Sequence, residues 1–405
     1  MRYWLPVFPV LLLPIVSAAQ VPAVQAMVDE VSVDSMIWNL QRLSGEVPVD
    51  VGGGPVTITS RNKFNPGNAV AADWLQQRLV DYGYTPVVQV FSGGTGENVL
   101  AEKVGAVHPD VRVVICGHYD AMPGTPAAAP AADDDGSGTV AVLEAARILA
   151  SYTFENTIVF AMWDEEEQGK LGSLWYAGIL AANDDTLAGA VNMDAIAYDG
   201  NGDDLMRIHT RPVANSIAIK DTAVMANTTY GMNLPIAINN PGATYSDHAS
   251  FWTEGFGAIL IIEDFDNDGN PHYHTTTDLI QYLDLPYFER LTRLGIATTA
   301  LLAVPYDSPS AVQEPIASQF VDMMVIPNPV GDQGIIKIHT ELPGQLDVDL
   351  INGLGMQVAR LNRGTLDRGT HVFRIPRSLP AGAYTAHVSD LRGAVANARF
   401  IVLDR

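Results

Sequence analysis

The sequence predicts an α/β fold, a mostly parallel sheet flanked by helices, followed by a small all-β sandwich. Three observations lead there. Short, largely apolar runs at Val111–Cys116, Thr157–Trp163 and Ala258–Ile262 have the character of strands buried on both faces. Helical spacing of apolar residues alternates with them, at Ala69–Tyr82, Thr139–Ala150 and Tyr287–Ala303. From residue 326 onward the pattern changes to short alternating strands separated by turn residues.

Taken in order, the chain opens with the marks of a secretory signal over residues 1–19. Arg2 supplies a positive start, Trp4–Val16 an apolar stretch, and Ser17-Ala18-Ala19 the small residues for cleavage after Ala19. That apolar run is shorter than the ~20 residues a membrane span needs, and Pro6, Pro9 and Pro14 interrupt it. No later segment is long and apolar enough, so no membrane span is expected in the mature chain. An α/β unit is expected over residues 20–305. Within it, Trp74, Leu75 and Leu79 mark the buried face of the first long helix, and Gly83 its stop. Val87–Phe91, rich in β-branched residues, reads as a strand. Tyr306–Ser310 and Glu314-Pro315 suggest a linker over residues 306–325. Strands are then expected at Ile335–His339, Leu346–Ile351, His371–Ile375, Tyr384–Ser389 and Arg399–Leu403, within a sandwich over residues 326–405.

Composition narrows the function. With 46 acidic against 23 basic residues and a formal net charge of −23, the chain lacks the basic stripe that nucleic acids and anionic lipids require. Cys116, the one cysteine, lies inside an apolar run and reads as a buried, inert thiol.

Acids and histidines gather where the predicted strands end or helices open. Gly117-His118-Tyr119-Asp120 follows the run ending at Cys116, and Asp133–Gly138 opens the helix that begins near Thr139. Asp164–Gly169 follows Trp163, Asn192-Met193-Asp194 follows Ala188–Val191, and Tyr273–Asp278 lies downstream of Ala258–Ile262. In a parallel sheet these ends converge on one crevice. So many carboxylates would repel one another there, and Lys170 is the one cation within the motifs. Divalent metal ions are the economical compensation, and mixed imidazole and carboxylate donors suit zinc. Two ions about 3.5–4 Å apart would use the whole set. The aspartate run also has the makings of a helix N-cap, and the glutamate run those of a solvated face. Consecutive Ser246-Asp247-His248 cannot form a nucleophilic triad locally, and no GxSxG elbow is present. Asp264–Gly269 begins like a calcium loop, but its twelfth position holds Thr275 where such a loop needs glutamate.

Together GHYD at residues 117–120, DDDGSG at 133–138, EEQGKLGS at 166–173, NMD at 192–194, SDHAS at 246–250 and HTTTD at 274–278 resemble the M28 zinc aminopeptidases, related to bacterial leucyl aminopeptidases, over residues 30–305. That resemblance implies a sheet of the zinc-peptidase type and two Zn²⁺ per chain, with His118, Asp134, Glu167, Asp194 and His274 as metal ligands. Asp134 would bridge the ions, Glu166 would act as general base, and Asp120 would orient His118. Tyr273 is the candidate donor to the developing oxyanion, with Tyr245 as its alternative. The implied activity is hydrolysis of N-terminal peptide bonds in peptides or proteins. A glutaminyl-cyclase-like or carboxypeptidase activity, and a non-catalytic binding protein, are the competing expectations. Pro327-Asn328-Pro329 and Leu379–Tyr384 resemble the type IX secretion sorting domains of Bacteroidetes-type bacteria. They imply export through the periplasm, with the secretion machinery as partner and a secreted or cell-surface location.

Overall fold

In the computed structural model the described residues are 20–123, 128–306, 321–331, 333–340, 344–352, 357–390 and 393–403. The expected signal peptide and most of the expected linker, residues 307–320, lie outside them. Two compact units divide at Tyr306 and Asp307.

The first unit is built on an eight-stranded sheet of β1 (Val87–Phe91), β2 (Gly96–Lys103), β3 (His108–His118), β4 (Asn156–Trp163), β5 (Thr186–Met193), β6 (Met206–His209), β7 (Ile236–Asn239) and β8 (Ala258–Glu263). Its order is β1-β2-β4-β3-β5-β8-β6-β7. The centre, β4-β3-β5-β8, is parallel throughout, with His118 level with Trp163, Cys116 with Asn192, and Ile261 with Met193. That register brings the ends of four strands to one edge of the sheet. Every residue of β4 is buried, as a strand covered on both faces requires.

The α-helices among the described residues of this unit are α1 (Pro22–Asp29), α2 (Val33–Leu43), α3 (Pro66–Asp81), α4 (Gly136–Leu149), α5 (Leu171–Ala182), α6 (Ser216–Thr229), α7 (His248–Thr253) and α8 (Leu285–Ala303). Helices α1 to α4, α6 and α8 share one large core with one face of the sheet. On the other face α5 and α7 pack Tyr176, Ala177, Leu180, Phe251 and Trp252 around Trp163 and Cys116. Cys116 is fully buried. Helix α3 begins three residues earlier than its apolar spacing suggests, because the Asn65 side chain accepts from the Gly67 amide and Pro66 presets the first turn. No described helix is long and apolar enough to cross a membrane.

In the second unit, β9 (Val321–Ile326), β10 (Ile335–Thr340) and β13 (Gly369–Arg374) form one antiparallel sheet. Strands β11 (Gly344–Asn352), β12 (Gln357–Leu366), β14 (Gly382–Asp390) and β15 (Gly393–Val402) form a second, in the order β12-β11-β14-β15. Ile336 and Ile338 of the first sheet share a core with Val348, Leu350, Val388 and Phe400 of the second, which makes the pair a sandwich.

Candidate metal centre

His118 is the last residue of β3, and its side chain is held from behind. Asp120 meets His118 Nδ1 with its main-chain carbonyl at 3.2 Å and with Oδ1 at 3.3 Å, leaving Nε2 to face Asp134 Oδ1 at 3.3 Å and Asp194 Oδ1 at 3.8 Å. The other oxygen of Asp134 lies 3.0 Å from His274 Nε2, and that nitrogen is also 3.0 Å from Glu167 Oε1. One carboxylate therefore stands between two donor groups, His118 with Asp194 and Glu167 with His274. Asp134 Oδ2, Glu167 Oε1 and His274 Nε2 are buried and make no hydrogen bond, so their 3.0 Å approaches lack hydrogen-bond geometry. Buried polar atoms left in this state are costly unless something else satisfies them. Imidazole nitrogens and carboxylate oxygens converging in this way fit zinc.

Asp135 also lies within reach of His118 and Asp194. Its oxygens are already committed, however, accepting the amides of His118 at 2.9 Å, Gly138 at 2.8 Å and Ala195 at 3.3 Å. It is the N-cap of α4, and it ties that helix to β3 and to the chain after β5. The aspartate run thus divides its work, with Asp135 capping and Asp134 facing the imidazoles. Glycine permits the close approach, since a β-carbon at Gly138 would overlap the Met193 carbonyl oxygen and the Asp135 carboxylate.

The glutamate run divides too. Glu165 turns away to Lys63 at 2.6 Å and to the Ser92 hydroxyl at 2.8 Å. Glu166 and Glu167 are aimed the other way, their amides donating to Asp120 Oδ1 at 3.0 Å and Oδ2 at 3.2 Å. Burial raises the carboxyl of Glu166 well above the usual range, and burial raises Glu167 to about 7. Burial opposes ionisation of Asp134, yet the two adjacent imidazoles win and lower it. Glu165, Ala195 and His274 all have left-handed backbones, with φ of 58°, 48° and 55°. Such conformations cost about 1–3 kcal/mol each and concentrate where a fold must aim particular groups.

These groups line a cavity of about 280 Å³ whose wall includes His118, Asp134, Glu166, Glu167 and Asp194. Ala195, Ile262, Phe265, Tyr245 and Tyr273 line it as well. Residues 98–299, which carry nearly all of this arrangement, match the sequence profile of Peptidase family M28.

The chain carries an M28 peptidase domain. It is a metallopeptidase. A probable zinc metalloprotease of the fungus Leptosphaeria maculans is 27% identical over 330 residues, covering 68% of this chain and 75% of that one. Leucine aminopeptidase 1 of Trichophyton equinum is 29% identical over 303 residues, covering 69% and 77%. Among solved structures, the LapA aminopeptidase of Legionella pneumophila superposes with a TM-score of 0.59 at 22% identity, covering 71% and 76%. The glutaminyl cyclase of Porphyromonas gingivalis superposes at 0.51 and 20% identity, covering 66% and 97%. Both superpositions show a shared fold.

Of the residues given site roles from the sequence, His118, Asp134, Glu166, Glu167, Asp194, Tyr245 and Tyr273 line this cavity, and Asp120 and His274 contact its lining. Tyr273 stacks flat on the His274 ring, with centroids 3.8 Å apart and planes inclined by 17°, and meets Phe265 edge-on. Ser246, Asp247 and His248 form no nucleophilic triad. Ser246 accepts from Asn192, Asp247 accepts from the Ser173 hydroxyl, and His248 faces the Ala243 carbonyl. In the acidic loop, Asp264 pairs with Arg207 at 2.6 Å and Asp268 accepts the Gly200 and Asn201 amides.

Two contributors to the M28 domain's site, Asp278 and Arg61, were given no role in the sequence analysis. Asp278 accepts the amides of Asp133 and Asp134, both at 3.1 Å, and so joins the His274 segment to the bridging carboxylate. Its place at the end of the HTTTD motif was the available signal. Arg61 is fully buried and donates to four carbonyls, those of Leu43, Tyr119, Pro130 and Ala131. Burial lowers its pKa to about 10, with Asp278, Asp135, Asp120 and Asp134 near enough to pull it back up, so it stays a cation. A single arginine between two short polar stretches carries no local signal of that role.

Proposed function

We propose that the chain is a secreted aminopeptidase that works with two zinc ions and releases N-terminal residues from peptides or proteins. The observation that carries this reading is the position of Asp134, with one oxygen at His118 and the other at His274. His118, Asp134 and Asp194 would hold one ion, and Asp134, Glu167 and His274 the other. Zinc bound here would acidify water and polarise the scissile carbonyl.

The remaining work falls to the chain. Glu166, in the same cavity and fixed by its amide to Asp120, takes a proton from the attacking water and returns it to the leaving amine. Asp120 fixes the orientation of His118. Tyr273, a candidate donor to the developing oxyanion with Tyr245 as its alternative, braces His274, and Ile262, Phe265 and Ala195 offer an apolar wall for the side chain of the departing residue. Two donor groups sharing one carboxylate favour this reading over a cyclase working with a single zinc. Aminopeptidase relatives among fungi support it as well.

The signal-like residues 1–19 support export, and the motifs at 327–329 and 379–384 support the C-terminal sandwich as the sorting address. A secreted mature protein still carrying that sandwich would sink the sorting idea.

Leucyl-p-nitroanilide hydrolysis by the purified chain, before and after chelation and zinc add-back, tests the main reading. Release that chelator abolishes and zinc restores is expected. No release with two zinc ions bound would redirect the assignment to carboxypeptidase or cyclase substrates.

A further inference from the structure

Tyr245, which lines the same cavity as the carboxylates, is held by its hydroxyl rather than by its ring face. Tyr245 Oη lies 3.0 Å from His209 Nε2, with the two rings edge to face at 5.3 Å. His209 is the last residue of β6 and only 2% exposed. Either atom of that hydrogen bond could donate, and the rest of the His209 ring decides which. The Ala243 amide donates to His209 Nδ1 at 3.0 Å, so Nδ1 is an acceptor without a proton of its own. A neutral imidazole then carries its hydrogen on Nε2. That hydrogen donates to the tyrosine oxygen and leaves the phenol hydrogen free to face the cavity.

Ala243 is gripped through its carbonyl as well. His248 Nε2 lies 2.9 Å from the Ala243 carbonyl oxygen, which can only accept, and His248 is fully buried. Both imidazoles thus take the tautomer protonated at Nε2, one at the amide and one at the carbonyl of Ala243, two residues before Tyr245. The His248 ring sits edge-on to Trp252, 4.5 Å away, which fixes its plane. Burial holds His209 at about 4, with Asp266 raising it and Arg207 lowering it, so the neutral form prevails in neutral solution.

We propose that His209 is a positioning residue that makes Tyr245 a dedicated hydrogen-bond donor to the carbonyl oxygen of the scissile bond as it becomes negative. A phenol that accepts from an imidazole is polarised to donate more strongly, because chained hydrogen bonds reinforce one another. The arrangement also removes the entropy of a rotating hydroxyl before substrate arrives. Tyr245 is 47% exposed, so without His209 its hydroxyl would turn to water. This inference rests on the peptidase reading above and assigns the donor role within it.

Two measurements on the full chain test it. Nitrogen-15 NMR of the wild-type protein reads the tautomer directly, and the expected signature is His209 with Nδ1 bare and Nε2 protonated. The opposite tautomer overturns the proposal, whatever the enzyme hydrolyses. In leucyl-p-nitroanilide kinetics, Tyr245→Phe and His209→Phe should each lower kcat by tenfold or more with KM within twofold. The double variant should be no slower than Tyr245→Phe alone. His209→Gln, which retains an N–H donor, should recover part of the loss. Additive losses in the double variant, or full activity of Tyr245→Phe, would overturn it. An inactive wild type with the expected tautomer would refute the peptidase reading and leave the His209–Tyr245 pairing standing.

Discussion

Asp120 approaches His118 Nδ1 to 3.3 Å with the same oxygen that accepts the Glu166 amide. Its second oxygen accepts the Glu167 amide, so one carboxylate aligns a metal-facing imidazole with the two glutamates beyond β4. Asp120→Ala should therefore impair both functions at once. Loss of such a supporting group typically weakens metal affinity by about 10–100-fold. Zinc titration against a chromogenic chelator should show that loss, and kcat should fall even at saturating zinc. Unchanged affinity would mean that His118 is oriented by other contacts.

Glu166 makes a cleaner case, because its carboxylate faces the cavity without belonging to either donor group. Replacing Glu166 by Ala should reduce turnover by at least about 100-fold, the scale of general-base catalysis. Metal content, read by mass spectrometry, should stay near that of the wild type. Metal loss in this variant would exchange the roles given to Glu166 and Glu167.

Gly138 lies where α4 meets β5, with the Met193 carbonyl and the Asp135 carboxylate against its α-carbon. Gly138→Ala should destabilise the unit by about 1–3 kcal/mol, the range for overpacked sites. Urea denaturation measures this, and an unchanged midpoint would show that the helix can shift without cost.

Phe265 and Ile262 make the apolar wall of the cavity. Phe265→Ala should lower kcat/KM for leucyl substrates by roughly tenfold more than for alanyl ones, since lost apolar contact discriminates by about 1–3 kcal/mol. Equal losses for both substrates would place the departing side chain elsewhere.

Acid should weaken the fold through its two neutral histidines. Burial holds His209 near 4 and His248 near 3 in the folded chain, below the usual value near 6.5. Depressed pKa values contribute stability that is complete above the unfolded value. It drains away as pH falls from about 6.5 toward the folded ones, because the unfolded chain then binds the extra protons. Urea midpoints from pH 7 to pH 4.5 should fall, and more gently in His248→Gln. An equally steep fall in that variant would assign the acid sensitivity to other groups.

The legible parts of the fold were those whose environment leaves one unmixed pattern. Strands β4 and β8 are buried on both faces, so nothing polar interrupts them, and the motif residues follow directly from their ends. Strand β2 was missed because Gly96–Lys103 mixes Glu97, Asn98, Glu102 and Lys103 with its buried residues. Asn98 is fully buried there by donating to the Gly172 carbonyl and Gln89, partners that only the folded chain supplies. Strand β12 alternates too weakly to register, since most of Gln357–Leu366 stays partly exposed at the sheet edge. Within the site, the aspartate and glutamate runs announced acidity but could not say which member turns inward. That choice is made by amides of distant segments, those of His118 and Ala195 on Asp135, and by Lys63 on Glu165.

Arg61 has a consequence for the charge balance of the site. Its bonds to four carbonyls occupy four of its five N–H donors without neutralising it, so a fixed positive charge stays near the acids whether or not metal has arrived. The folded chain therefore carries its own partial answer to the crowding of Asp120, Asp134, Asp135 and Asp278, a built-in counter-charge.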